Sequence, residues 1–378
     1  MCSASTCGRS KTGQRDLGGR GRPNRNCGPF VMLVLGRNEC LDSRRGDGPA
    51  VGRHALVVTR LPRALVILIA LAAGLHATIA LGDATQELRQ AVERDYSYRD
   101  LRHVDWSEQF SQFTPRLRAA SSTAEFAKLA SDLLARAEDI HITVQAGESV
   151  LQPFQRNTAP NYEMAIIPKL VPDVRSDHRC VSFGHAGEGI GYLVIGQWTT
   201  PCEASAESAL DALMDQRAII IDVRPNSGGD DMLASQFAGR FIEKPAVYAY
   251  VETLANGHFQ ARRPRTLLPN LVQRHFRGKV YVLIGPRCMS SNESFLLMMR
   301  SATAVLVGTR SYGSSGNPKE HRLSNGVIVK LPSWREYEPS GALLEGKGVD
   351  PDVRVQWPQP AAADPVLGAA LDLLRPKK

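Results

Sequence analysis

Cys288-Met-Ser-Ser-Asn-Glu293 follows the apolar run Lys279-Val-Tyr-Val-Leu-Ile-Gly285 and precedes Ser-Phe-Leu-Leu-Met-Met. A buried strand running through a short turn into an apolar helix can expose a side chain at the strand's end. The helix amino end then offers unpaired N–H groups to a developing negative charge. Ser290 is the candidate nucleophile, with Glu293 one helical turn later. The same Ser-x-x-Glu spacing also fits a capping box, which needs no chemistry. Cys288 could attack as a thiolate, but a small buried hydrophobe is the simpler reading.

A second turn carries matching chemistry. Gly228-Gly229 follows Asp222-Val-Arg-Pro-Asn-Ser. Paired glycines reach backbone conformations closed to other residues and let N–H groups approach a ligand. Such a turn could form half of an oxyanion hole with the Ser291 N–H as the other half, or be a plain strand-to-helix turn. Asp222 and Arg224 read as a structural pair within it.

These turns need elements to position them. Thr85 to Ala137 has helical spacing, interrupted by a turn from Tyr96 to Trp106. Short strands are expected at Ile140–Gln145, Ala165–Leu170 and Gly191–Ile195, then an amphipathic helix at Ser205–Gln216. Ala218–Asp222 and Val280–Ile284 read as buried strands, each followed by a helix, at Asp231–Ile242 and Ser290–Arg300. Further strands are expected at Ala304–Gly308, Gly326–Pro332 and Val353–Val355. Repeated strand–turn–helix units imply an α/β fold with a substantially parallel sheet, whose sites lie beyond the strands' carboxyl ends.

Asp222-x-Arg-x-Asn-x-Gly-Gly, Ser290-x-x-Glu293, Val307-Gly-Thr-x-Ser-Tyr-Gly313 and Gly346-Lys-Gly-Val-Asp-Pro-Asp352 together resemble the C-terminal processing peptidase and tricorn family of serine peptidases. The order and spacing agree across roughly Leu133–Val355. The resemblance implies a crotonase-like core, a spiral of ββα units, preceded by a helical segment. In the processing-peptidase branch a lysine in the turn after Tyr-Gly activates the serine. Here that turn reads Tyr312-Gly-Ser-Ser-Gly316, so Ser314 stands where the lysine would be. A hydroxyl cannot serve as a general base near neutral pH. Lys319 is the nearest lysine that could act as a displaced base. The span from Val144 to Gly189 is too short for that branch's intact PDZ domain.

The resemblance to the tricorn-like branch implies a histidine base instead, in Glu138-Asp-Ile-His141-Ile-Thr-Val. His141 would take the proton from Ser290 and return it to the leaving amine. Glu345 stands where that branch places a supporting glutamate, and Asp139 is an alternative orienter. Gly229, Gly228 and Ser291 would bind the oxyanion, and Glu293 would orient the helix start. The expected substrate is an extended peptide or unfolded protein lying along a sheet edge, with no cofactor required. A non-catalytic peptide-binding protein on a degenerate peptidase fold is the alternative. An acyl-thioester enzyme of the wider crotonase group rests on fold analogy alone.

Residues 1–82 hold 12 Lys/Arg against 4 Asp/Glu, whereas residues 83–378 hold 34 of each. The formal charge of +8 therefore lies outside the expected folded part, and no electrostatic case for nucleic acid remains. Residues 1–60 read as disordered or as a mis-assigned start, with translation expected near Val57 or Val58. Arg60 and Arg63, the apolar run 64–74 and Ala80-Leu-Gly82 give residues 61–82 the pattern of a signal peptide. Residues 64–81 could alternatively anchor the chain in a membrane. The expected location is exported, periplasmic or extracytoplasmic. In an oxidising compartment Cys180 and Cys202 could pair across the strand between them. No Cys/His cluster has zinc spacing. The organisation expected is thus a helical segment over 83–138, a peptidase core over 139–357 and a linker with a final helix over 358–378.

Overall fold

The computed structural model describes residues 84–177, 180–358 and 363–375. The segments 1–60 and 61–82, with the expected leader or anchor, lie outside the described residues. Three helices come first: α1 (84–95), α2 (Trp106–Ala119) and α3 (Thr123–Leu134). Asp105 and Ser122 cap α2 and α3 by accepting from the N–H of Glu108 and Glu125. The apolar faces of these helices do not pack only on one another. Leu88, Phe110, Leu117, Phe126 and Leu133 share a core with Val144, Val329 and Leu331. Those last three belong to an antiparallel sheet of β1 (Thr143–Ala146), β2 (Ser149–Leu151), β12 (Pro318–Arg322) and β13 (Ile328–Pro332), in the order β12-β13-β1-β2.

The remaining elements are α4 (Ile167–Leu170), β3 (Arg175–Asp177), β4 (Val181–Gly187), β5 (Ile190–Ile195), α5 (Thr200–Ala212), β6 (Ala218–Asp222), α6 (Asp231–Ala238), β7 (Ala246–Ala255), β8 (His258–Phe259), β9 (Arg263–Leu267), β10 (Lys279–Ile284), α7 (Ser291–Ser301), β11 (Val305–Gly308), β14 (Trp334–Tyr337), β15 (Val353–Arg354) and α8 (Pro365–Leu374). The central sheet has the order β15-β11-β10-β6-β5-β4-β3. Strands β5, β6, β10, β11 and β15 run parallel, and β4 and β3 extend the sheet antiparallel. Every residue of β6 is buried, as a parallel strand covered on both faces requires. On one face α5, α6 and α7 bury Leu210, Phe237 and Phe295. On the other, α8 buries Val366, Leu367 and Ala370 against Ile220 and Leu283. A smaller antiparallel group pairs β7 with β14, β8 and β9. The architecture is mixed α/β.

Several expectations need correction. Ala165–Leu170 is not a strand: Met164–Ile166 form a 3-10 turn that runs into α4. The Glu163 side chain accepts from the Ala165 N–H, and Pro168, with no N–H for a ladder, fits a helix's first turn. The first strand begins at Thr143 rather than Ile140, because Asp139 bends the chain. Its side chain takes the His141 N–H at 2.9 Å and its carbonyl takes the Ile142 N–H at 3.3 Å. The helix expected at Ser205–Gln216 begins earlier, at Thr200, with Pro201 in its first turn. Cys180 and Cys202 are joined by a disulfide that ties the entry of β4 to α5.

Candidate active site

The turn between β10 and α7 holds Ser290 in a conformation that few non-glycine residues adopt, φ 58° and ψ −134°. Such strained strand-to-helix turns project a side chain clear of the sheet. The Ser290 N–H is held by the Ser314 carbonyl at 2.8 Å, and its side chain makes no capping bond to α7. The capping-box reading therefore fails. Glu293 does not reach back to Ser290 either, and its role is not that of a helix-start orienter. Fully buried, it accepts from the N–H groups of Gly313 and Ser314, each at 2.7 Å, and from the Ser311 hydroxyl. It anchors the 311–314 loop to α7. Burial pushes its carboxyl up to about 7, against those three donors.

The loop so anchored meets His141. The imidazole Nε2 lies 3.0 Å from Ser290 Oγ, and Nδ1 lies 2.9 Å from Ser314 Oγ. The three side chains come from the turn before β1, the turn before α7 and the turn after β11. When Nε2 accepts from Ser290, Nδ1 carries the ring proton and donates to the Ser314 hydroxyl. Asp139 holds the backbone of His141 rather than its ring, since its nearest oxygen is 3.9 Å from Nδ1. Burial lowers the His141 pKa below its ordinary 6.5, opposed by Asp139 and reinforced by Arg102. A base must be neutral to accept a proton, and a lowered pKa keeps it neutral into more acidic solution. The acid limb of a kcat/KM–pH profile is therefore expected below pH 6.5, the ordinary imidazole value. A limb above that value would mean that the ring is not the titrating base.

Glu345 differs from its expected place. It is buried, but it bonds neither His141 nor the Ser314 hydroxyl. One oxygen accepts from the Ser315 N–H at 2.8 Å, and the other is paired with Arg102. Arg102 also lies 3.6 Å from Asp139, which accepts from the Tyr96 hydroxyl at 3.0 Å. Burial and the Asp139 charge raise the Glu345 pKa, and Arg102 opposes them. Glu345 thus fixes the residue beside Ser314 and couples it to the helical segment, a positioning task. Sequence reading missed Arg102, Tyr96 and Ser315. Arg102 is 243 positions from Glu345, and no local pattern marks such a partner.

The oxyanion donors also divide. The Gly228 N–H is spent on Asn226 Oδ1 at 2.8 Å, so Gly228 is not a free donor. Its absent side chain matters instead, because a Cβ there would stand 2.9 Å from Ser290 Cβ. Gly229 has φ +134°, and a Cβ on it would meet the Trp198 carbonyl oxygen at 2.1 Å. The N–H groups of Gly229 and Ser291 have no protein acceptor among the described residues. The Ser291 hydroxyl donates to the Gly229 carbonyl at 2.9 Å and locks the two turns together. Beside Ser290 and His141 opens a cleft of about 460 Å³, lined also by Phe154, Ser227, Met289 and Tyr312.

Two other candidates lie elsewhere or do other work. Lys319 is exposed on β12, where it pairs with Leu331, and the ring bonded to Ser290 Oγ is that of His141, so no observation favours Lys319 as a displaced base. Cys288 is buried with its thiol on the Val223 carbonyl, and burial drives its pKa strongly upward, which makes it packing.

Residues 189–355 match the profile of Peptidase family S41. The resemblance is to the S41 peptidases. A probable CtpA-like serine protease of Staphylococcus epidermidis is 25% identical over 174 residues, 45% of this chain and 34% of that protein. The tricorn protease of Thermoplasma acidophilum is 27% identical over 166 residues, 42% of this chain and 14% of that one. The chain thus spans about a third or less of the length of these curated relatives. A Parabacteroides merdae crystal structure assigned as a peptidase superposes with a TM-score of 0.68 at 21% identity, covering 79% of this chain and 98% of that one. At that identity the likeness is one of fold. These comparisons support a serine-type peptidase. The S41 match contains Ser290, Ser314 and Glu345 but begins after His141, so the histidine rests on geometry alone.

Proposed function

We propose that this chain is an exported serine peptidase that cleaves peptide bonds through an acyl-enzyme at Ser290, with His141 as general base. The observation that carries this reading is the 3.0 Å contact of Ser290 Oγ with His141 Nε2, in a ring whose other nitrogen is held by Ser314. Ser290 Oγ attacks the peptide carbonyl carbon while its proton passes to Nε2. The carbonyl oxygen takes up the negative charge between the free N–H groups of Gly229 and Ser291. Collapse of this adduct breaks the C–N bond, and the imidazolium gives its proton to the leaving amine. Water, deprotonated by the same nitrogen, then frees the acyl group. Glu345, Arg102 and Glu293 hold the loop that carries Ser314, so their part is to position the ring.

The fold supporting this chemistry is proposed to be the crotonase-like spiral of ββα units, in the tricorn-like branch with a histidine base. Extended peptide or unfolded protein is the proposed substrate. Export is supported by the Cys180–Cys202 disulfide, since such bonds persist in oxidising compartments. The reading is tested by incubating the protein with a denatured protein substrate and, separately, with a serine-directed phosphonate. Cleavage together with a phosphonate adduct mapped to Ser290 is expected. A protein that neither cleaves nor labels would be the peptide-binding alternative.

A further inference from the structure

The catalytic cleft continues into a second hollow of about 630 Å³. The two share Gln155, Arg156, Ser227, Met289 and Tyr312, so the second opens from the nucleophile's own turn. Neither is lined by an aspartate or a glutamate, yet the second is lined by two arginines, Arg156 and Arg287. Neither arginine has a carboxylate partner among the described residues. Buried or clefted arginines elsewhere in this protein do: Arg102 has Glu345 and Asp139, Arg224 has Asp222 and Asp364, and Arg265 has Asp231 and Glu336.

Both arginines are nonetheless held in place. The Arg287 Nε donates to the Thr158 carbonyl at 3.0 Å, and both terminal nitrogens are free of protein acceptors among the described residues. The Arg156 guanidinium lies 3.4 Å from the Tyr312 ring centroid and donates through one terminal nitrogen to the Tyr312 carbonyl. Its Nε and other terminal nitrogen are free of protein acceptors among the described residues. A guanidinium that has already lost its rotamer freedom binds a carboxylate at lower entropic cost and with defined geometry.

We infer that this hollow is a specificity subsite, and that the peptide reaching Ser290 presents a carboxylate to Arg287 and Arg156. The inference rests on the peptidase reading and adds the chemical class of substrate. The carboxylate inferred is that of an acidic side chain near the scissile bond; the free C-terminus of the substrate is the rival outcome of the test.

The test uses peptides of one sequence that carry either Glu or Gln at each position flanking the cleavage site, each made with a free or an amidated C-terminus. The protein is expected to show kcat/KM about tenfold or more higher for one acidic member than for its neutral counterpart, the scale of a charge-assisted hydrogen bond. A Glu/Gln difference supports the inference, and an acid/amide difference without one overturns it in favour of the C-terminus. Arg287→Gln should bring that ratio close to one, and Arg287→Glu should invert it in favour of a Lys-containing peptide. A fold defect alone would lower all rates without inverting the preference. Equal kcat/KM for every acidic and neutral pair in the unaltered protein would overturn the inference, as would a preference that survives Arg287→Glu. If no peptide is hydrolysed, the peptidase reading fails separately, and the affinities of the same pairs for the unaltered protein decide the subsite by the same ratio.

Discussion

Ser290→Ala is expected to lower kcat by about four orders of magnitude or more and to abolish labelling by a serine-directed phosphonate. Among the described residues the Ser290 side chain is the only hydroxyl bonded to His141 Nε2, at 3.0 Å, and its backbone is fixed by the Ser314 carbonyl. Alanine keeps that backbone bond and removes no packing, so the thermal transition should stay within a few degrees. His141→Ala should cost about as much, and the double variant little more, because nucleophile and base act as one unit. Ser314→Ala should cost less than either. It leaves the base in place but frees the ring to rotate and to change which nitrogen carries the proton. Turnover, labelling and thermal melting measured on the four proteins decide the matter. Persistent labelling of Ser290→Ala would remove the proposed nucleophile. Full additivity in the double variant would show that the 3.0 Å contact is not a catalytic pair.

How much of this was readable in the sequence depends on the range of the interaction concerned. β6 and β10 were legible because parallel strands buried on both faces are continuous apolar runs. α7 was legible because hydroxyls and an acid stand where its amino end begins. β7 was not: a bulge between Val247 and Ala249 breaks its two-residue alternation, so Ala246–Ala255 lacks the simple strand signal. Pro168 hid a helix inside a run that looked like a strand, since a proline fits a first turn as well as an edge.

The site shows the same division. Ser290 and the glycine pair could be proposed from local pattern, because strand, turn and helix follow one another in the chain. His141 could not be singled out among nine histidines without the resemblance, since its partners lie 149 and 173 positions away. Glu293 was misread for a related reason. Its spacing from Ser290 is that of a local cap, but its bonds go to a loop about twenty residues further on. A buried carboxylate takes the donors that tertiary structure brings to it, and sequence spacing does not record them.

The largest stability effect is expected at Arg224, whose side chain has no solvent exposure. It bonds Asp222 at 2.9 and 2.6 Å, Asp364 at 3.0 and 2.7 Å, and the Asn161 carbonyl at 2.9 Å. One cation thus serves two fully buried carboxylates. Asp222 also accepts from the Tyr192 hydroxyl, and Asp364 caps α8 through the N–H groups of Val366 and Leu367. Arg224→Met would keep most of the volume but leave both carboxylates facing each other without a counter-charge. Removing one partner from a buried ion pair typically costs about 3–5 kcal/mol. At about 2–4 °C per kcal/mol for a domain of this order, the melting temperature should fall by roughly 6–20 °C. Arg224→Lys should recover only part of the loss, because an ammonium cannot bridge two carboxylates as a planar fork does. The effect should also reach the site. Arg224 begins the turn that ends at Gly228 and Gly229, so loss of its anchor loosens the donors beside Ser290. Phosphonate labelling of Arg224→Met should therefore slow well below its melting temperature. A melting shift under about 2 °C would mean that the triad contributes little beyond an apolar replacement, an outcome known for some buried ion pairs. Unchanged labelling with a large shift would separate the stability of the turn from its chemistry.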